Sequence, residues 1–277
     1  MDGEQAPPGV DVATPNTARI YDYYLGGKDN YRADRQAAEQ VLSVAPETPR
    51  LAWENRAFLG RAVRYLVGAG IRQFIDVGSG LPTRENVHET AQRAAPDARV
   101  AYVDRDPVVL IHSRALLATD AQTAVVEADM RRPDDILDDP ELRRLIDLDR
   151  PVAVLFVAAL HCLTDDDKPA GVVARFQERM APGSHLVISH ITAQEDAETA
   201  QRGAEVYRRV GATTQMTLRD RAQLMNLFDG FELVEPGLVP LPDWRPETPF
   251  GATVAPPPKP RRGPLPIWFL CGVGRLP

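Results

Sequence analysis

The pattern of hydrophobic and polar positions divides the chain into two parts, which differ in the spacing at which apolar residues recur. Between residues 16 and 70, apolar side chains recur at the spacing of amphipathic helices, most clearly in a stripe that includes Leu51, Phe58 and Leu66. After Gly70, short β-rich runs alternate with helical stretches. Such alternation is typical of a parallel sheet built from βα units. The pattern therefore predicts a helical extension followed by an α/β domain.

Six strands are predicted after Gly70, and a seventh closes the chain. Their sequences are RQFIDVG, ARVAYVD, TAVVEAD, PVAVLFVAAL, SHLVISHI, FELVEPG and, last, IWFLCGVGR. Helices are predicted between the strands near residues 84–95, 107–118, 134–147 and 167–180. A further helix is expected to begin at Thr217, with Asp220 completing a capping box. In the extension, a capped helix is predicted from Asn16 up to Gly26 and Gly27.

Two segments are predicted to lack regular structure. Residues 1–15 are rich in proline, glycine and acidic side chains, and we interpret them as a flexible leader, while 240–266 form a stiff proline-rich connector. The domain organisation we predict is this leader, a helical extension or lid over 16–70, and a Rossmann-like domain over 71–277. Its fold class is α/β, with a doubly wound, mostly parallel, seven-stranded sheet.

Composition indicates an ordinary globular protein and disfavours several classes of function. Hydrophobic residues make up 44% of the chain and charged residues 26%, while the net charge of -7 disfavours a nucleic-acid partner. The longest apolar run, PVAVLFVAAL, is too short for a membrane helix, and the N-terminus MDGEQAPPGVDV lacks the basic start of a signal peptide. Cys162 and Cys271 have no metal-chelating spacing. We therefore predict a cytoplasmic protein with two buried thiols, no metal and no membrane partner.

Candidate cofactor residues follow each of the first three predicted strands. In FIDVGSGLPTREN, Gly78 and Gly80 leave the backbone open to a ligand at the end of the first strand. Asp104 ends the second strand, where a carboxylate can accept both hydroxyls of a ribose. Asp129 ends the third strand, and Met130 after it can pack on an adenine ring. Because ends of parallel strands share one edge of the sheet, these residues predict a nucleoside site.

The residues around the glycine turn indicate what kind of nucleoside cofactor binds. A dinucleotide-binding fingerprint has a third glycine where this chain has Thr83, preceded by Pro82. Asp76, two residues before Gly78, would repel a pyrophosphate but suits the ammonium group of a methionine moiety. The pattern favours a donor without pyrophosphate. A nicotinamide-dependent oxidoreductase stays open as an alternative at this point.

The order of these motifs, DxGxG followed by an acid after the second strand and another after the third, resembles that of class I S-adenosylmethionine-dependent methyltransferases. The resemblance implies that the glycine loop holds the methionine part of S-adenosylmethionine (SAM), that Asp104 binds the ribose, and that Asp129 and Met130 hold the adenine. It also implies a reversed last strand. The predicted cofactor site includes the neighbouring residues Ser79, Leu81 and Arg105 as well.

A narrower resemblance extends over nearly the whole chain. The segments ARIYDYYLGGKDNYRAD, FIDVGSGLPTRENVH, RVAYVDRDPVVL, HLVISH and FDGFELVEPGLV, with WRP, are similar to an actinobacterial methyltransferase family formerly listed as a domain of unknown function. This resemblance again implies SAM as the cofactor. It leaves the methyl acceptor open.

The acceptor is expected beyond the fourth strand, which runs into AALHCLTDDDKP. No (N/D/S)PP(Y/F) tetrapeptide stands there, which argues against methylation of an exocyclic base or amide nitrogen. His161 can accept a proton near neutral pH, and the stretch is similar to small-molecule O-methyltransferases in which a histidine after this strand is the base. We therefore predict His161 as the catalytic base, with His190 as a second candidate. The alternative is that His161 caps the strand or lines the cofactor pocket without titrating.

Polar and aromatic residues cluster in the N-terminal extension at Tyr21, Tyr24, Lys28, Asp29, Asn30 and Tyr31. We predict that Tyr21, Tyr24 and Asn30 contact the cofactor as part of a lid, because tyrosine faces stabilise a cation and a lid excludes water. The alternative is that the tyrosines only pack the extension onto the sheet. The predicted function is SAM-dependent methyl transfer to an unidentified small molecule, with a non-catalytic SAM-binding sensor or scaffold as the alternative. The sequence predicts no oligomeric state.

Overall fold

The computed structural model describes residues 10–82, 85–116, 121–193, 197–246 and 268–277. The α-helices in these ranges are Thr17–Tyr24 (α1), Arg32–Val44 (α2), Thr48–Gly68 (α3), Val87–Ala94 (α4), Pro107–Leu116 (α5), Pro133–Leu137 (α6), Pro140–Leu145 (α7), Pro169–Gln177 (α8), Ala197–Arg209 (α9) and Arg221–Asn226 (α10). The strands are Gln73–Val77 (β1), Arg99–Asp104 (β2), Thr123–Glu127 (β3), Ala153–Val157 (β4), His185–Ile191 (β5), Glu232–Leu233 (β6), Val239–Pro240 (β7) and Phe269–Arg275 (β8). Single 3-10 turns cover Leu160–Cys162 and Leu241–Asp243.

The strands form one mixed sheet in the order β3-β2-β1-β4-β5-β8-β6, and β7 pairs with β8 outside this order. Strands β1 to β5 are parallel to one another, while β8 runs antiparallel to β5, from Phe269 opposite Ile191 to Arg275 opposite His185. The α/β class, the mostly parallel sheet and the reversed last strand are confirmed. The described strands number eight instead of the predicted seven, because Val239 also pairs with Cys271 of β8.

Two predicted helix boundaries are wrong for local reasons. The stretch 134–147 forms two helices, because the Asp139 side chain accepts hydrogen bonds from the backbone N–H groups that open α7, and Pro140 has no N–H group with which to continue α6. Thr217 does not begin a helix. Asp220 caps α10 and forms the reciprocal capping box with Gln223, whose backbone N–H donates to the Asp220 carboxylate at 2.8 Å.

The sheet carries a hydrophobic core on each face. Successive side chains of a strand point to opposite faces, so Phe74 packs with Leu66 of α3 and Trp244, while its neighbour Ile75 packs with Phe156 on the other face. All five of these side chains are fully buried. Burial of each contributes about 1.5–3 kcal/mol. The central strands are therefore apolar on both faces, and their carboxyl ends are left for function.

A third apolar cluster joins α1, α2 and α3 to α9. A buried ion pair between Arg19 and Asp34, 2.8 Å apart, ties α1 to α2. Arg19 also donates to the backbone oxygens of Asp11 and Thr14, and so holds residues 11–14 of the predicted leader. Residues 1–9 of that leader and 247–266 of the predicted connector lie outside the described residues. No helix in the described part of the chain has both the length and the apolar character needed to cross a bilayer.

Candidate active site

A cavity of about 300 Å³ lies at the carboxyl ends of the parallel strands. This is the edge at which open α/β sheets bind their ligands. Its wall contains the glycine turn after β1, the ends of β2 and β3, the turn after β4, and faces of α1, α3 and α9. The predicted site residues that line it are Tyr21, Tyr24, Asp76, Gly78, Ser79, Gly80, Leu81, Asp104, Arg105, Asp129, Met130 and His161. Asn30 does not line it; its side-chain amide donates to Asp22 at 2.8 Å.

The glycine turn that follows β1 brings its backbone close to residues that follow β3 and β4. Gly78 has φ +71°, and a Cβ placed there would lie 2.9 Å from the Cβ of Ala159 and 3.1 Å from the Cε of Met130. Gly80 has φ +64° and no atom within 4 Å of the position of a Cβ. Gly78 is therefore required both by close packing and by its backbone conformation. Gly80 is required by its backbone conformation alone, and the space beside its Cα is open.

Asp104 is held at the end of β2 by backbone groups. Its carboxylate accepts hydrogen bonds from the N–H groups of Gly80 at 3.0 Å, Arg105 at 2.8 Å and Asp106 at 3.0 Å. A carboxylate has about four acceptor positions, so these bonds leave about one for a ligand hydroxyl. Burial raises the pKa of Asp104 above its ordinary 3.8, although the backbone donors oppose this shift. The side chain is thus oriented before any ligand binds.

Asp129 is paired with two arginines at the end of β3. Arg131 contacts both of its carboxylate oxygens, and Arg105 lies 3.1 Å from one of them. Burial opposes ionisation of Asp129, but the hydrogen bonds from Arg131 and the charges of both arginines outweigh it and lower its pKa to about 2. This end of the cavity therefore presents a neutralised carboxylate, with Met130 beside the glycine turn.

Asp76 differs from the other two acids because no described residue donates a hydrogen bond to its carboxylate. The side chain lines the cavity and is only 6% exposed. Burial raises its pKa to about 7, while the charge of Arg56 opposes the shift and the charge of Asp104 adds to it. A buried carboxylate without a partner fits the ammonium group of an amino acid. The residues present therefore fit the methionine part of SAM.

His161 lies on the 3-10 turn after β4 and is 4% exposed. No described residue hydrogen bonds to its Nδ1 atom, and its ring packs edge-on against Phe269 and His190. Burial lowers its pKa well below the ordinary 6.5, and the neighbouring His190 and Arg219 lower it further. His161 is therefore a neutral imidazole on the wall of the cavity.

His190 does not line the cavity. Its Nδ1 lies 2.6 Å from the backbone oxygen of Ile191 and so carries the proton, which leaves Nε2 to accept a hydrogen bond from Arg219 at 2.9 Å. Burial lowers its pKa to about 3, and the charge of Arg219 adds to the effect. Arg219 also donates to the backbone oxygens of Leu160 and Leu163, on either side of His161. His190 and Arg219 thus support the turn that carries His161.

The two tyrosines of the extension that line the cavity, Tyr21 and Tyr24, are held in place by hydrogen bonds of their hydroxyl groups. The hydroxyl of Tyr21 donates to the backbone oxygen of Ala52 at 3.1 Å and accepts from Asn55 at 3.0 Å. The hydroxyl of Tyr24 lies 3.2 Å from that of Tyr207 on α9. These bonds fix both rings in the wall between the extension and the sheet.

Several cavity residues were missed by the sequence analysis, notably Asn55, Arg56 and Tyr207. Asn55 had a detectable signal, because it lies four residues after Leu51 in the apolar stripe of α3 and is only 1% exposed. Cys162 also lines the cavity. It is partly exposed for this reason, which corrects its prediction as a buried thiol.

The sheet order, the reversed β8 and the acids at three successive strand ends define the fold of a SAM-dependent methyltransferase. Comparison with known proteins agrees with this class. The chain belongs to the S-adenosyl methyltransferase family, whose model matches residues 3–277. The protein is therefore a SAM-dependent methyltransferase, and the nicotinamide-dependent alternative is wrong.

Two solved structures are similar to this chain over almost their whole length. A DUF574 family protein from Streptomyces avermitilis MA-4680 is 41% identical with a TM-score of 0.87, and the match covers 96% of this chain and 99% of that one. A putative methyltransferase from Thermobifida fusca YX is 42% identical with a TM-score of 0.87, covering 99% of each chain. No curated protein sequence matches the chain.

Proposed function

We propose that this methyltransferase transfers the methyl group of SAM to a hydroxyl group of an uncharged small molecule. The observation that carries this proposal is the composition of the cavity wall away from the strand-end acids. The described lining residues contributed by α9, by 213–218 and by 268–269 include no Asp, Glu, Lys or Arg. A charged acceptor would lose its hydration there without gaining a partner, which costs several kcal/mol.

The acceptor wall suits a flat or apolar molecule. Its aromatic members are Tyr207, Trp268 and Phe269, and its aliphatic members include Leu51 and Leu59 of α3. We assign residues 16–70 the role of a roof over this compartment, with Tyr21 and Tyr24 among the polar side chains that it contributes to the cavity wall. Exclusion of water by such a roof would protect a reactive sulfonium.

His161 is our candidate for the base. Its imidazole is neutral, lines the cavity and has an Nδ1 atom without a partner among the described residues. Its lowered pKa makes it a weak base, so the proton it can accept is that of an acidic hydroxyl. A phenol, with a pKa near that of tyrosine at about 10, meets this condition far better than an aliphatic alcohol. A phenolic acceptor is therefore favoured.

The cofactor residues orient the donor in this proposal. SAM supplies a methyl group that is already activated on a sulfonium. Asp76 is assigned to the ammonium group, Asp104 to a ribose hydroxyl, and Met130 to the adenine ring. With an activated donor, alignment of the two substrates supplies most of the acceleration. The protein then needs only to position the acceptor and to accept its proton.

The test uses SAM with a deuterated methyl group and mass spectrometry of the products. Phenols are offered in matched pairs that differ in charge, such as methylparaben against para-hydroxybenzoate, and para-cresol against tyramine. We expect labelled products from uncharged members, and a loss of at least roughly tenfold in rate with His161→Ala, as for removal of a general base. Labelling confined to charged members, or an undiminished rate with His161→Ala, would overturn the proposal. Donor binding without transfer to any phenol would favour the sensor or scaffold alternative.

A further inference from the structure

Arg56 is the charged residue among the described α3 residues that line the cavity. Three arginines line the cavity in the described ranges, and two of them, Arg105 and Arg131, are paired with Asp129 at the end of β3. Arg56 lies at a different place. Its charge acts on Asp76, where it is the largest influence opposing the effect of burial.

We propose that Arg56 binds the carboxylate of the methionine part of SAM while Asp76 binds its ammonium group. An amino acid carries one charge of each sign on neighbouring atoms, so it is matched by an anionic and a cationic side chain that face it together. Arginine suits the second role because its planar guanidinium binds a carboxylate through two hydrogen bonds. This inference rests on the proposed assignment of Asp76.

Arg56 is held at its position by a hydrogen bond to Glu85. One of its terminal nitrogens donates to the backbone oxygen of Glu85 at 3.2 Å. Glu85 adopts a left-handed backbone conformation with φ +57°. This bond joins α3 to the residues just before α4.

The test measures binding by calorimetry and needs no methyl acceptor. S-adenosylhomocysteine carries the amino-acid group, decarboxylated SAM lacks its carboxylate, and methylthioadenosine lacks the group entirely. A hydrogen-bonded charge pair of this kind corresponds to roughly 10- to 100-fold in affinity. We expect Arg56→Met to weaken the binding of S-adenosylhomocysteine by that factor, to change the binding of decarboxylated SAM by less, because only the influence of Arg56 on Asp76 is lost, and to leave the binding of methylthioadenosine unchanged. Arg56→Lys should recover part of the loss.

A matched control and three contrary outcomes make the test decisive. Arg64→Met removes an arginine from the same helix at a position that does not line the cavity, and it should bind all three ligands normally. Unchanged S-adenosylhomocysteine binding by Arg56→Met would overturn the inference while leaving the proposed function intact. An equal loss of S-adenosylhomocysteine and methylthioadenosine would assign Arg56 a structural role instead. Failure of the unmodified protein to bind S-adenosylhomocysteine would remove the inference and the proposed function together.

Discussion

Asp76 makes the ligand-free protein less stable, because its carboxylate is buried without a hydrogen-bond donor among the described residues. We predict that Asp76→Asn stabilises the ligand-free protein at alkaline pH and weakens its binding of S-adenosylhomocysteine. The substitution keeps the size and shape of the side chain and removes the group that ionises. The two effects have one cause, since the charge that is costly without a ligand is the charge that would bind the ammonium group.

The sign follows from the direction of the pKa shift. The pKa of Asp76 is about 7 in the folded protein and ordinarily 3.8, so the folded state holds the proton more tightly than the unfolded state. The resulting penalty is absent below the unfolded pKa, grows as pH rises toward the folded pKa, and is constant above it. Each pH unit in that window corresponds to about 1.4 kcal/mol. The penalty is therefore roughly 4 kcal/mol near pH 8 and roughly 1.5 kcal/mol near pH 5.

The assay is urea unfolding of the unmodified protein and Asp76→Asn at both pH values. The free energy of unfolding of the variant, relative to the unmodified protein, should be higher near pH 8 than near pH 5 by roughly 2.5 kcal/mol. Asp97→Asn is the control, because the Asp97 side chain is 75% exposed and its removal should matter little at either pH. A stability difference for Asp76→Asn that does not change with pH would refute the reasoning.

Three further substitutions test parts of the fold in urea unfolding experiments. Arg19→Met leaves the buried Asp34 carboxylate without its ion-pair partner and should lower the free energy of unfolding by about 3–5 kcal/mol, and a loss below 1 kcal/mol would contradict this. Gly78→Ala places a methyl group 2.9 Å from the Cβ of Ala159 at φ +71° and should cost roughly 2–4 kcal/mol, so a variant as stable as the unmodified protein would show that the turn can relax. Asp220→Ala removes the cap of α10 and should cost about 1 kcal/mol, and no loss would mean that the cap is dispensable.

Local sequence patterns predicted most of the sheet because its strands are buried on both faces and read as continuous apolar runs. The same patterns were weaker where an element is short. The two-residue strand β7 has no pattern of its own and exists because Val239 finds a partner in β8. The division between α6 and α7 depends on the capping bonds of Asp139, which the apolar period does not reveal.

The end of the cavity that we assign to the cofactor was predictable because the sheet topology alone assembles it. Asp76, Asp104 and Asp129 lie at or just beyond the carboxyl ends of three consecutive strands that are neighbours in one sheet, so each position follows from its place in the chain relative to a strand. The charge environment of each of the three acids could not be predicted from the sequence. Two arginines neutralise Asp129, three backbone N–H groups hold Asp104, and Asp76 has no donor among the described residues, and these differences arise from tertiary contacts.

The proposed acceptor end of the cavity is built differently. Its wall joins Leu51 of α3, Tyr207 of α9 and Phe269 of β8, residues that are far apart in the chain and come together only through tertiary packing. The wall is apolar and aromatic, and such residues also make ordinary cores, so no motif distinguishes them in the sequence. A site of this kind can change its acceptor by exchanging apolar side chains while the strand-end acids stay as they are. The sheet therefore determines which cofactor is expected to bind, whereas the way in which the helices pack onto the sheet determines which acceptor fits.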